Sequence, residues 1–399
     1  MIRLLRAGPF RWMWAGESVS MLGDRVYGVA LAWLVLTVGG SPLTLGSVLI
    51  AGAVPGALLL LPAGAVTDRV SPRAVMLASN LARALLVALL AGLAVGGRVQ
   101  LWHLYAISIC FGVADAFFVP AVGSIVPSLV EEEDLGPANA LIGVSEQVTM
   151  LAGPAAGGVL VAAAGPAGAF LLDGGSFVAG AAGLLPAHRG VRRPPREPGS
   201  LWSEVRAGLR YAWSDRQLRA VLGLAAVSAL TYSGVFAVGL PALARHRFSE
   251  GAVALGTMGA AWGLGQLVGA LSAAVTGLPR RWGLLVIGMT LSAGVAFALI
   301  GVLPTLWAAS AVLAVTGFGE AYSSDVALPS WIQRRSSPSM LGRVNSLLGL
   351  VRQGLAPLSF AAMGALAALD LRIAFGVAGA VMVGAAGIAA GTRTVRELV

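Results

Sequence analysis

The chain has no lysine, one cysteine (Cys110) and three histidines, and only 11% of its 399 residues are charged. Soluble domains carry about 25% charged residues, so this chain lacks the polar surface that a water-soluble fold of its length requires. A single cysteine excludes an intramolecular disulfide and a thiolate metal cluster. His103, His188 and His246 are scattered without ligand spacing, and no zinc-helix motif, Gly-x-Ser-x-Gly elbow or phosphate-binding loop is present. The sequence therefore points to no enzyme, no metal and no cofactor. An ATP-driven pump would need its own nucleotide site, so any work done must draw on an ion or substrate gradient. A cleavable signal peptide needs a short uncharged apolar run. Here Glu17, Asp24 and Arg25 interrupt the run that follows Arg3, Arg6 and Arg11, and a retained first helix is expected instead.

What the chain does have is apolar length. Hydrophobic residues make up 57% of it, glycine occurs 54 times, and the mean hydropathy is +0.84. A spanning helix needs about 20 mostly apolar residues, and glycine in such helices allows close packing. Twelve segments qualify, near 14–38, 43–66, 74–96, 101–128, 137–163, 166–186, 217–243, 251–277, 283–303, 306–330, 343–369 and 372–391. The expected fold is an all-α polytopic membrane protein with 12 transmembrane helices. All basic charge is arginine, and 20 of the 27 arginines fall at the ends and loops that are inside if both termini are cytoplasmic. That bias satisfies the positive-inside rule and accounts for the net charge of +9 without a nucleic-acid partner. The expected location is the cell membrane, multi-pass.

One long polar stretch divides the chain. Residues 1–186 form the first half, 187–215 a cytoplasmic linker and 216–399 the second half. The linker begins as an Arg- and Pro-rich tether. It ends with Leu201, Trp202, Val205, Leu209, Ala212 and Trp213 on one helical face and Arg206 and Arg210 away from it, the pattern of a helix lying in the headgroup layer.

The two halves match. Gly112-Val-Ala-Asp115-Ala-Phe117 aligns with Gly317-Phe-Gly-Glu320-Ala-Tyr322 at an offset of 205 residues, and Asn139 with Glu146-Gln147 aligns with Asn345 and Arg352-Gln353 at 206. Internal repeats carried in hydropathy and sparse polar positions characterise secondary transporters, which hold substrate where repeats meet.

Three motifs carry a resemblance. The turn Gly64-Ala-Val-Thr-Asp68-Arg69-Val-Ser-Pro-Arg73 resembles the signature between helices two and three of the major facilitator superfamily, with Ser71 and Pro72 departing from it. Gly64 would let two helices touch, and Asp68 at a helix terminus would bias one gate conformation by roughly 0.3–1 kcal/mol. Gly153-Pro154-Ala-Ala-Gly157-Gly158 resembles the motif that marks proton-driven exporters in this superfamily, although Thr149 replaces its upstream glycine. Proline there would bend the helix, and the glycines would permit tight contact at the bend. The arginine that many drug–proton antiporters carry in helix four is replaced by Ile109. With the first helix and the stretch Pro120–Leu141, these motifs are similar to the twelve-helix branch that contains macrolide-efflux proteins and enterobactin-type siderophore exporters. The resemblance implies two pseudo-symmetric six-helix bundles, a central cavity and alternating access, with Gly64, Asp68, Arg69, Arg73, Gly153, Pro154, Gly157 and Gly158 as gating residues.

An ionisable residue at a helix centre costs roughly 2.5–3.5 kcal/mol and is a functional candidate by default. The family fold lines its cavity with the first helix of each three-helix repeat, which selects Asp24, Asp115, Glu320 and Asp325 as proton or substrate groups. Glu146 and Arg352 are expected to face the cavity from opposite bundles. Glu17 reads as an interfacial residue near Arg11, Asp173 and Asp370 as solvated extracellular ends, and the Glu131–Asp134 run as a solvated loop facing Arg334 and Arg335. The resulting expectation is a monomeric, proton-coupled exporter of amphipathic small molecules, of the drug or siderophore type, in contact with membrane lipids. Asp115 and Glu320 would favour apolar or cationic compounds and Arg352 anionic ones. A lipid, lysophospholipid or metabolite transporter of the same fold is the alternative.

Overall fold

The computed structural model describes Leu4 and residues 8–187, 209–211, 213–277, 282–323, 328–335 and 338–396. The described residues are helical and contain no strand. In order they form α1 (Pro9–Thr37), α2 (Pro42–Arg69), α3 (Pro72–Val95), α4 (Leu101–Leu129), a 3-10 turn (Glu132–Asp134) and α5 (Leu135–Gly183). The second half contributes α6 (Arg216–Gly234), a π turn (Val235–Gly239), α7 (Leu240–Arg247), α8 (Ala252–Thr276), α9 (Trp282–Ile300) and α10 (Leu306–Glu320). It ends with α11 (Leu328–Arg335), α12 (Pro338–Gly354), α13 (Ala356–Leu369), α14 (Leu371–Gly391) and α15 (Arg393–Arg396). Ten helical stretches among the described residues are long and apolar enough to cross a membrane. One of them is two arms joined at Gly165, whose φ of 69° and ψ of 175° interrupt the helix. The linker helix face at 201–208 and Asp325 lie outside the described residues.

The helix starts follow from local chemistry. Proline occupies an early position of α1, α2 and α3, where its missing N–H costs nothing. Ser41 accepts a hydrogen bond from the Thr44 amide at 3.2 Å while Thr44 Oγ1 accepts one from the Ser41 amide at 3.3 Å, a reciprocal cap. Thr305 caps α10. Asp370 caps α14 by accepting from the amides of Arg372 and Ile373 at 2.6 and 3.2 Å, so it closes a helix instead of serving only as a solvated end.

Asp215 does the same for α6, accepting from the Gln217 and Leu218 amides at 2.8 and 3.3 Å and from Arg335 Nε at 2.7 Å. Arg335 thus has a carboxylate partner within its own unit. Burial pushes the Asp215 carboxyl up, but the Arg335 hydrogen bond and the two amides more than offset this and hold it below the ordinary range. A depressed folded pKa contributes stability above the unfolded value near 3.9, and that stability disappears as pH falls through the folded value. Asp215→Ala should therefore cost about 1 kcal/mol at neutral pH. Thermal midpoints of variant and wild type should converge below about pH 3; a gap that persists there would mean the loss is not electrostatic.

Contacts divide the chain into two compact units, Met1–Pro195 with Ser249–Ala260, and Arg196–Phe248 with Ala261–Val399. In the first, α1 packs along α5, α2 along α4, and α3 against both α4 and α5. In the second, α9 packs on α14 and α6 on α13. The repeat-matched glycines have the same job in each unit. A Cβ on Gly112 would strike the backbone carbonyl of Gly52 in α2, and one on Gly317 the backbone carbonyl of Trp262 in α8. Leu58, Leu85, Val275 and Leu369 are exposed on their helices, the surface that a hydrocarbon solvent accepts and water does not.

Candidate functional site

The first unit holds its charges around Arg83, in the middle of α3. Its side chain is only 1% exposed. The guanidinium carbon lies 3.9 Å from the ring centroid of Phe118 on α4 and 4.4 Å from that of Phe177 on α5. A desolvated cation over an aromatic face gains about 2 kcal/mol, and two such faces hold the guanidinium plane in place. Arg83 donates to Asn80 Oδ1 one turn earlier at 2.6 Å. It lies 3.6 Å from Asp115 on α4 and 4.0 Å from Asp24 on α1. These are long ion pairs, so one guanidinium is shared by two carboxylates that are themselves half-exposed.

Two further acids stand behind this group. Glu17 is buried and within electrostatic reach of Arg83, Asp24 and Asp115. Asp173 is fully buried, accepts from Ser176 Oγ at 3.2 Å and feels both Asp24 and Arg83. Glu17 lies about two turns into α1, near the helix start as expected, with its side chain buried. Asp173 is no solvated end: it stands about two turns into the second arm of α5, and its face of that arm is turned inward and leaves it fully buried. Four carboxylates on α1, α4 and α5 thus surround one guanidinium on α3.

Arg83 and Asp173 were not among the candidates. The signal for Arg83 was present, since it is the one charged residue in the apolar segment 74–96.

The second unit encloses a cavity of about 220 Å³ among α6, α9, α10, α11 and α12. Glu320 and Arg352 both line it, with Tyr232, Trp282 and the hydroxyls of Ser228 and Ser323. The sequence matched these two charged residues to Asp115 and Glu146 in separate parts of the repeat, and the fold gives them one wall. Glu146 is exposed on α5.

The glycine motifs divide. Gly153 packs against the Arg25 side chain and Gly157 against Val26 and Val29 of α1. A Cβ on Gly158 would lie 2.7 Å from the Ala252 carbonyl and 2.9 Å from Gly256 of α8, while one on Gly259 would meet Pro154. The tight contact expected of this run is present. Backbone angles stay helical through Pro154, and the break at Gly165, where positive φ suits glycine alone, separates the two expected segments 137–163 and 166–186.

Around Gly64 no described atom lies within 4 Å of where its Cβ would be, so among the described residues no side chain or backbone fills that position. Arg73 binds the end of α5, donating to the carbonyls of Leu184 and Leu185 at 2.8 and 3.0 Å, where a helix C-terminus attracts a cation. Arg69 ends α2. The Asp68 side chain lies outside the described ones.

Membrane-length helices in two units, glycine-mediated helix contacts and charges held among the helices define a polytopic transporter of the major facilitator fold. The chain belongs to the transmembrane secretion effector family of that superfamily, which it matches over residues 3–395. It is 27% identical over 374 residues to the multidrug efflux pump Tap of Mycolicibacterium fortuitum, covering 91% of this chain and 90% of the relative. It is 29% identical over 358 residues to the enterobactin exporter EntS of Escherichia coli O1:K1, covering 87% and 82%. Its fold is similar to the crystal structure of a bacterial homologue of the iron transporter ferroportin in an inward-facing state. The TM-score is 0.76 at 16% identity, with 96% of this chain and 98% of that one covered.

Proposed function

We propose that the protein exports amphipathic small molecules, of the drug or siderophore type, across the cell membrane in exchange for protons, by alternating access. The observation that carries this reading is the sharing of Arg83 by Asp24 and Asp115, with Glu17 and Asp173 beside them. Four acids around one guanidinium leave surplus negative charge inside an apolar unit, where an unpaired charge is costly. A proton, or a cationic substrate at the half-exposed Asp24 and Asp115, neutralises that surplus. Competition between the two for the same carboxylates is the differential binding that exchange requires. Tap and EntS, both named as efflux proteins, support the direction of transport.

In this reading Glu146, Glu320, Asp325 and Arg352 contribute to the route. Gly64, Asp68, Arg69, Arg73, Gly153, Pro154, Gly157 and Gly158 belong to the gating elements, with Arg73 latching the start of α3 to the end of α5. The working unit is a monomer with both termini cytoplasmic.

The test uses everted vesicles with an imposed pH gradient and a panel of lipophilic cations, siderophores and labelled lysophospholipids. Asp24→Asn and Asp115→Asn should each abolish substrate-induced proton movement while the purified variants keep the wild-type elution profile and melting point. Proton movement unchanged in both variants would refute the coupling assignment. Transport of lysophospholipids alone would move the protein to lipid transport.

A further inference from the structure

We propose that Asp173, on the second arm of α5, holds the proton exchanged for substrate, behind the carboxylates that meet the substrate and apart from them. This deepens the export reading by naming where the proton resides, and it rests on that reading for the exchange itself.

The hydrogen bonds around Asp173 come first. The residue is 0% exposed. No arginine pairs with it among the described residues, and the ion pairs of Arg83 go to Asp115 and Asp24. Its Oδ2 is buried and meets no donor among the described residues. Its Oδ1 has Ser176 Oγ at 3.2 Å. That hydroxyl carries a single proton, and its shorter contact, 2.7 Å, is to the Asp173 carbonyl. With the serine proton on the carbonyl, the 3.2 Å contact suits a protonated Asp173 that donates from Oδ1 to Ser176 Oγ. An ionised carboxylate accepts at both oxygens and donates at neither, so these surroundings serve the neutral acid better than the anion. A buried charge without a counter-ion is costly, and a bound proton removes it.

The way out runs along α1. A Cβ on Gly23 would fall on the Asp173 carboxyl and the Ser176 hydroxyl, so bare backbone there lets both approach α1. The next residue is Asp24, whose side chain is 38% exposed. Ser20, about one turn before Asp24, and Asn80, about one turn before Arg83, both face α5 at Gly180. Both are buried, and Ser20 Oγ and Asn80 Nδ2 have no partner among the described residues. The seam between α1, α3 and α5 is therefore polar from Asp173 to the half-exposed carboxylates. Asp24 and Tyr27 of α1 and Arg83 of α3 lie within electrostatic reach of Asp173. Glu17 of α1 and Asp115 of α4 face Arg83, and Arg25 packs on Gly153 in the first arm of α5.

The exchange then balances in charge. A cationic substrate at Asp24 and Asp115 replaces Arg83 as their counter-charge and leaves the guanidinium to Asp173. The proton passes from the Asp173 carboxyl to the Asp24 carboxylate and from there to water. Asp173 remains as a carboxylate balanced by Arg83. When the cation leaves, a proton returns through the same two groups.

The experiment measures proton release from the purified full-length protein in weakly buffered detergent, with a pH-indicator dye, as tetraphenylphosphonium is added. Isothermal titration follows binding of the same cation at several pH values. Cation binding that expels a proton must tighten as pH rises, because the two equilibria are linked. Wild type should release protons and bind more tightly at higher pH. Asp173→Asn, close in shape to the neutral acid, should lose the release and flatten the pH dependence. Asp173→Glu restores a carboxyl and should recover both. Infrared difference spectra of wild type against Asp173→Asn at neutral pH need no ligand. They should show the C=O stretch of a neutral carboxylic acid in wild type. Ser176→Ala, which removes the acceptor of its O–H, should shift that band to higher wavenumber.

Release and pH dependence that persist in Asp173→Asn overturn the proposal and leave proton exchange standing. A lower melting point with an intact pH dependence assigns Asp173 a structural role and overturns it likewise. Absence of the neutral-acid band, or a band that Ser176→Ala does not move, overturns it even where the asparagine variant fails to fold or wild type does not bind this cation. A wild type that binds the cation and releases no proton overturns the exchange reading and the proposal together.

Discussion

Arg83→Met is expected to lower stability by about 3 kcal/mol and to eliminate coupled transport, since removing one partner of a buried ion pair costs about 3–5 kcal/mol. The lower end applies because Asp24 and Asp115 are half-exposed and their distances to Arg83 are long. Methionine keeps most of the apolar stem that packs between Phe118 and Phe177, so the loss reports the charge and not a cavity. Arg83→Lys restores the charge without the planar guanidinium that stacks on both rings. It should therefore recover part of the stability and little of the transport. Thermal unfolding in detergent and drug-driven proton flux in vesicles measure the two effects. A methionine variant that melts and transports like wild type would show that the guanidinium organises nothing.

Gly158→Leu should be the second severe lesion. Its Cβ would already stand 2.7 Å from the Ala252 carbonyl and 2.9 Å from the Gly256 Cα, and backbone atoms cannot rotate away as a side chain can. Overpacking of this kind costs about 1–3 kcal/mol, and separating α5 from the start of α8 should stall transport even in molecules that remain folded. Gly64→Ala is the internal control. Nothing described lies within 4 Å of its Cβ position, and alanine is favoured over glycine inside a helix by about 0.5–1 kcal/mol. It should be neutral or slightly stabilising to thermal unfolding. If Gly64→Ala were the more damaging of the two, the helix contacts would be assigned to the wrong glycines.

Much of the architecture was legible because the membrane imposes simple rules. Apolar length locates helices, while the caps that start them at Ser41, Thr305 and Asp370 became visible only in the fold. The repeat could be read from Gly112 and Gly317 because close backbone approach excludes every other residue at those positions. Asp24 and Asp115 were legible as charged residues in segments that should have none.

Other features left no reliable mark. Glycine abundance made Gly64 and Gly158 look alike, and only the position of a neighbouring backbone distinguishes them. The segments ending at 163 and starting at 166 left the form of their boundary open, and it is a single positive-φ glycine, Gly165, between two helical arms. Asp173 looked terminal although its segment starts where expected, and only the inward turn of its helix face buries it. Arg335 pairs with Asp215, a contact that no sequence spacing marked.

By itself the sequence determined the solvent, the helical class, the twofold repeat and which carboxylates stand in apolar segments. Each of these depends on composition and period, which a linear chain displays in full. Tertiary structure alone decided that Arg83 stands between Asp24 and Asp115, that Asp173 and Glu17 are buried beside them, and that Glu320 and Arg352 share one cavity. Those facts depend on which faces of separate helices meet. Helix packing sets that through small residues and ring contacts whose one-dimensional signature is nearly the same everywhere in a glycine- and alanine-rich chain.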